Sequence, residues 1–196
     1  MGPDPTPATE RLARLITDID DDQLDAPTPC RGTTVAGLLV HVDGLCEAFA
    51  AAAAKDPDAG SGGAPPDESR LGRDWRARIP DRLAQLAAAW QDDKAWTGMT
   101  RAGGQDMPAQ VAGTIAIDEV VVHGWDIAAA TGRDYTCEPE LLQAACQFVE
   151  QAVAQNPDGS PGMFGPPVQV PDNASQLDRL IGLTGRDPAW RPDGDN

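Results

Sequence analysis

The sequence predicts an all-α protein, most economically an antiparallel helix bundle, and three observations lead there. Apolar residues recur at helical spacing in one segment after another. Strand-type alternation is scarce. The punctuation is that of helices, with threonine or proline at the starts (Thr34, Pro108) and glycine just past the ends (Gly132, Gly185). With 196 residues, the chain is one domain that can bury a core without disulfide or metal staples. Its expected parts are a four-helix core over about residues 7–132 and a C-terminal extension over 133–196.

Each element follows from local chemistry. Thr9 and Glu10, followed by Leu12, Leu15 and Ile16, predict a first amphipathic helix, closed by the acidic run over residues 18–22. The Pro-rich connection Ala26-Pro27-Thr28-Pro29-Cys30-Arg31-Gly32 leads to Thr33 or Thr34, either able to cap a second helix reaching about residue 55. Residues 56–67, rich in glycine, serine and proline, predict a flexible loop without the lysine a phosphate cradle requires. A third helix is expected over about 69–91, with Pro80 opening its second half or kinking it. The stretch from Trp96 to Met107 carries Gly98, Gly103 and Gly104 and could form a short hairpin. Pro108 suits the first residue of a fourth helix that runs to Thr131. A fifth helix spans about 139–155, an extended stretch follows at 164–168, and a last short helix covers about 174–184. No internal repeat is visible.

Charge removes several function classes. The formal net charge of −16 leaves no basic stripe to displace counterions from a nucleic acid. Lys55 and Lys94 are the only lysines, so a polybasic membrane patch is absent as well. The longest apolar stretches look too short and too interrupted to span a bilayer. Cys30, Cys46, Cys137 and Cys146 show no C-x-x-C spacing and follow no secretory leader, so the expected compartment is a reducing cytoplasm.

The chemistry concentrates in His41, Glu119 and His123. These include the only two histidines of the chain, and Glu119 precedes His123 by one helical turn. On a helix the two side chains are offset by about 40° around the axis and about 6 Å along it. Glu119 is embedded between Ile115-Ala116-Ile117 and Val120-Val121-Val122, and no lysine or arginine occurs between Arg101 and Arg133. A carboxylate there needs a cation or several hydrogen-bond donors, because its desolvation costs several kcal/mol or more. Two neutral imidazoles and one carboxylate form a zinc ligand set that leaves a fourth position open for chemistry. A divalent zinc on these ligands would carry a site charge of about +1, which a thiolate neutralises.

Asp126 lies on the same helical face, two turns beyond Glu119. It is expected to orient the His123 ring or to act as an acid or base toward substrate. Asp118 points about 100° away and is expected to be solvated or structural. Cys46 faces away from His41 and is not a ligand candidate, and Trp90 and Trp125 are expected in the core. A metal-dependent hydrolase and a non-catalytic metal-binding or stress-associated module compete with the thiol reading. The protease pattern H-E-x-x-H is absent.

Thr28-Pro29-Cys30, Leu38-Leu39-Val40-His41-Val42, Glu119-x-x-x-His123-Gly124-Trp125-Asp126-Ile127-Ala128 and Ala130-Thr131-Gly132 carry a family resemblance. With these motifs the chain resembles the mycothiol-dependent maleylpyruvate isomerase N-terminal domain family, part of the DinB-like metal-binding superfamily. The tail, from Phe164-Gly165-Pro166-Pro167-Val168 to Leu183-Thr184-Gly185-Arg186-Asp187-Pro188, is similar to an uncharacterised actinobacterial-type branch. The resemblance implies a DinB-like four-helix core and a divalent metal, usually zinc, at His41, Glu119 and His123. It implies a functionally relevant Asp126, and mycothiol as cofactor or co-substrate. The sequence departs from the family at Thr33, where tryptophan is common, and the isomerase's separate C-terminal domain is not recognisable in it. The partners to expect are therefore a low-molecular-weight thiol and a small electrophile, with a homodimer as one option, and neither nucleic acid nor membrane. The expected activity is a metal-dependent thiol S-transfer or an isomerase-like reaction.

Overall fold

The computed structural model describes residues 2–56, 67–160 and 162–192. Among the described residues, six α-helices follow in order: α1 (Thr6–Thr17), α2 (Val35–Ala53), α3 (Trp75–Trp90), α4 (Ala109–Ala130), α5 (Pro139–Gln155) and α6 (Gln176–Leu183). An antiparallel hairpin of β1 (Met99–Ala102) and β2 (Gln105–Pro108) precedes α4. This is the mostly α architecture expected. The Gly-rich loop expected over 56–67 falls almost wholly on residues 57–66, outside the described residues.

The first four helices form the bundle, α1 and α2 each packing against both α3 and α4. Helix α1 starts earlier than its apolar periodicity suggests, because Asp4 Oδ1 accepts the Thr6 N–H at 3.0 Å and Pro7 sits in its first turn, where a missing N–H costs nothing. It buries Leu12, Leu15 and Ile16 on one face. Helix α2 begins where Thr34 Oγ1 accepts from the Gly37 N–H at 3.1 Å, confirming one of the two expected caps. This helix corrects one expectation. Its 19 residues, with a mean hydropathy of 1.5, are long and apolar enough to cross a membrane. In the bundle, 56% of that stretch is buried, as in the core helix of a globular protein.

Helix α3 starts later than expected. Gly72 adopts a left-handed φ of 69°, which separates a short 3-10 turn at Glu68–Arg70 from the helix proper. The helix then runs through Pro80. Gly103 and Gly104 make the hairpin turn with φ of 57° and 77°, the signature of a two-residue turn with both central residues left-handed.

Helix α4 is apolar on almost every side and lies at the centre, packed by α1, α2, α5 and the hairpin. Two glycines let neighbours close on it. A Cβ at Gly113 would lie 2.5 Å from the Trp96 ring and 2.7 Å from that of Trp90. Both indoles are buried and satisfied, Trp96 Nε1 donating to the Trp90 carbonyl at 2.7 Å and Trp90 Nε1 to the Phe49 carbonyl at 3.1 Å. A Cβ at Gly124 would meet Tyr135 Oη at 2.7 Å.

Helices α5 and α6 build the extension, α5 packing on α4 and α6 on α5. The extended segment before α6 pairs with its C-terminal end, Val168 N–H donating to the Gly182 carbonyl at 2.9 Å and Gly165 N–H to the Thr184 carbonyl at 3.3 Å.

Candidate metal centre

Helices α2 and α4 pack directly, and their contact brings the two histidines together. The ring centroids of His41 and His123 lie 4.8 Å apart in an edge-on arrangement. Glu119 Oε2 sits 2.9 Å from His123 Nε2 and 3.4 Å from His41 Nε2. One donor atom from each of the three residues falls within 4.8 Å of the others. In a tetrahedral site with zinc bonds near 2 Å, donors stand about 3.3 Å apart. The His41–Glu119 separation of 3.4 Å matches that spacing, and the His123–Glu119 pair at 2.9 Å is closer, at hydrogen-bond distance.

Exposure is graded across the cluster. The side chain of His41 is 43% exposed, that of Glu119 24% and that of His123 8%. The cluster therefore has a buried wall on α4 and an open edge on α2. Glu119 was expected to have little solvent-facing side, and the structure instead puts it at this boundary, turned toward His41.

The charges explain why the cluster favours a cation. Burial alone would raise the pKa of Glu119, but hydrogen bonds from His123 and His41, together with their charge, hold the carboxyl far below its usual range. Burial alone would lower the pKa of His123, yet the carboxylates of Asp126 and Glu119 push it up to about 10. His123 Nδ1 lies 2.9 Å from Asp126 Oδ2, so the Nδ1–H donates there. That leaves Nε2 facing Glu119 Oε2 at 2.9 Å. A lone pair on each would repel at that distance. A positive species on Nε2, either a proton or a metal ion, is required.

Asp126 is fully buried, and its second partner is one the sequence did not reveal. Arg186, beyond α6, donates from Nε to Asp126 Oδ1 at 2.7 Å and from Nη2 to Oδ2 at 2.8 Å. Burial would raise the Asp126 pKa, but Arg186 and then His123 outweigh it and keep the carboxylate ionised. The cations sought for α4 were those close in sequence, and Arg186 lies 60 residues after Asp126. The available signal was an aspartate near the C-terminal end of an apolar helix, which demands a buried counter-charge from somewhere in the chain.

The remaining expectations divide. Cys46 is buried, desolvation pushes its thiol far above the usual range, and its sulfur does not converge with the His41, Glu119 and His123 donors. Trp90 and Trp125 are buried as expected. Asp118 is not solvated: it is 2% exposed, and its Oδ1 has no hydrogen-bond partner among the described residues. Burial, then the neighbouring Glu119 charge, raises its pKa well above the usual carboxylate range.

Comparison with known proteins places the fold and the family. Two uncharacterised proteins from two strains of Mycobacterium tuberculosis are 28% identical over 182 residues, covering 91% of this chain and 93% of theirs. The fold is similar to crystal structures of the mycothiol-dependent maleylpyruvate isomerase. A histidine-to-alanine mutant superposes with a TM-score of 0.66 at 17% identity, over 93% of this chain and 86% of the other. A second structure gives 0.62 at 18%, over 94% and 88%. Residues 6–128, which carry the bundle and all three candidate ligands, match the family described as mycothiol maleylpyruvate isomerase N-terminal domain, and the chain belongs to that family.

Proposed function

We propose that this protein is a metal-dependent enzyme that activates a low-molecular-weight thiol, mycothiol being the candidate, toward a small electrophile by S-transfer or thiol-assisted isomerisation. The observation that carries this reading is the convergence of His41, Glu119 and His123 donor atoms from two helices, with one edge open to solvent. The donor set fits a divalent ion, and two imidazoles and one carboxylate are a ligand set that catalytic zinc uses. When bound, such an ion supplies a Lewis-acid position at which a coordinating thiol loses its proton near neutral pH.

The residues divide the remaining work. Glu119 provides the single negative charge that offsets part of the ion's, leaving the site attractive to an anionic sulfur. His123 presents Nε2 from the buried wall, and Asp126 fixes which nitrogen that is by accepting the Nδ1–H at 2.9 Å. Of the two roles expected for Asp126, this geometry supports orientation. An acid or base acting on substrate needs access that a carboxylate with 0% exposure lacks. His41, on the open edge, completes the donor set while leaving an approach for thiol and electrophile beside it.

The test is metal analysis of the purified protein, followed by thiol consumption with a model electrophile and maleylpyruvate conversion with and without mycothiol. One divalent ion per chain and turnover that requires both ion and thiol are expected. Stoichiometric metal without turnover would favour a binding module, and thiol-independent ester cleavage would favour a hydrolase.

A further inference from the structure

We infer that Arg186 is a positioning residue for the metal centre, delivered by the C-terminal extension from outside the family-matched region. The functional meaning of this inference rests on the metal reading proposed above, but its geometry does not.

The extension is built to bring Arg186 to Asp126. Gly182 and Gly185 allow the end of α6 to press onto the preceding extended segment. A Cβ at Gly182 would lie 2.8 Å from the Val168 carbonyl oxygen, and one at Gly185 only 2.7 Å from Gly165 Cα. Gly185 also takes a left-handed φ of 83°. The chain thus turns sharply, the Arg186 N–H closing back onto the Ile181 carbonyl at 3.2 Å. The side chain then enters the protein and is left 8% exposed.

Its planar fork grips both oxygens of Asp126, a geometry that the single ammonium of lysine does not reproduce. Asp126 Oδ2 is shared between Arg186 Nη2 and His123 Nδ1. With Oδ1 held by Arg186 Nε, the carboxylate plane cannot rotate, so Oδ2 stays on the His123 ring. The relay therefore runs from Arg186 through Asp126 to His123, and its product is an Nε2 aimed at Glu119. A salt bridge that merely pinned the tail would have no need to share an oxygen with a candidate ligand.

The experiment compares wild type with Arg186→Met, Arg186→Lys, Asp126→Asn and the double variant Asp126→Asn/Arg186→Met. Two quantities are read: the hydrogen-bonded His123 Nδ1 proton by NMR in the metal-free protein, and zinc affinity by chelator competition. Wild type should show a slowly exchanging, downfield Nδ1 proton. Arg186→Met should lose it and bind zinc about 10- to 100-fold more weakly, as for other partners that orient a ligand. In the Asp126→Asn background, Arg186→Met should change affinity by no more than about twofold, because the relay is already broken. An unchanged Nδ1 proton in Arg186→Met, or an equal affinity loss in both backgrounds, overturns the inference. Should Arg186→Met fail to fold, Arg186→Lys decides: it keeps the buried charge but loses the fork, so the proton should exchange faster, and wild-type exchange there would overturn the relay. Should wild type take up no zinc, the metal reading fails by itself, and the Nδ1 proton still decides on Arg186.

Discussion

His123 and Glu119 face each other across 2.9 Å, one turn apart on α4, with Nε2 pointed at Oε2. The same imidazole gives its Nδ1–H to Asp126, so the contact needs a positive charge in the gap. A proton and a divalent ion compete for that position.

Metal content should depend on both histidines. His41 lies at the open edge, so His41→Ala should lose the ion while changing the stability of the metal-free protein by no more than about 0.5 kcal/mol, the usual cost of a surface change. His123→Ala should also lose the ion, with helix content nearly intact by circular dichroism. Added zinc at about 100 times its Kd should stabilise wild type by about 2.7 kcal/mol and leave His41→Ala unmoved. Retention of wild-type metal by either variant would remove that residue from the ligand set.

Stability of the metal-free protein should depend on pH in a defined direction. The folded state raises His123 from an ordinary 6.5 to about 10. It therefore holds the proton more tightly than the unfolded chain does. This contribution is complete below about pH 6.5 and is lost as pH rises through about 10. Glu119 acts oppositely: its depressed pKa stabilises the fold above its ordinary 4.5, and that contribution fades as pH falls below it. Urea unfolding of chelator-treated protein should fall in stability from pH 6.5 to 10, and His123→Ala should flatten that slope. A slope that survives the substitution would place the titrating group elsewhere.

Gly124 is the tightest point beside the site. Alanine there would put its Cβ 2.7 Å from Tyr135 Oη and 2.9 Å from Cε2, against a rigid ring. Overpacking of this kind costs about 1–3 kcal/mol, enough to offset the helix propensity alanine gains over glycine. Gly124→Ala should lower the urea midpoint, and adding Tyr135→Leu should recover part of the loss. A neutral Gly124→Ala would show that the loop carrying Tyr135 yields freely.

Helices α4 and α5 were legible nearly to the residue, because proline sits at or beside their starts and α4 meets glycine just after its end. The hairpin was legible from the adjacent Gly103 and Gly104. The pairing of Glu119 with His123 follows from helical spacing alone, and only the packing of α2 on α4 adds His41. Arg186 was not legible: its partnership with Asp126 spans 60 residues and depends on the sharp turn at Gly185, which no local period encodes. Asp118 stayed open between solvated and structural for a related reason: its helical angle placed it off the site but could not show that it is buried.

The central claim is that His41, Glu119 and His123 hold one divalent ion with a position left for sulfur. X-ray absorption at the zinc edge of the loaded protein, with and without mycothiol, tests it most directly. The expected result is two imidazole nitrogens and a carboxylate oxygen near 2.0–2.2 Å, with a sulfur scatterer appearing at about 2.3 Å once thiol is added. Zinc bound with a cysteine sulfur before thiol is present, or with no histidine at all, would contradict the account.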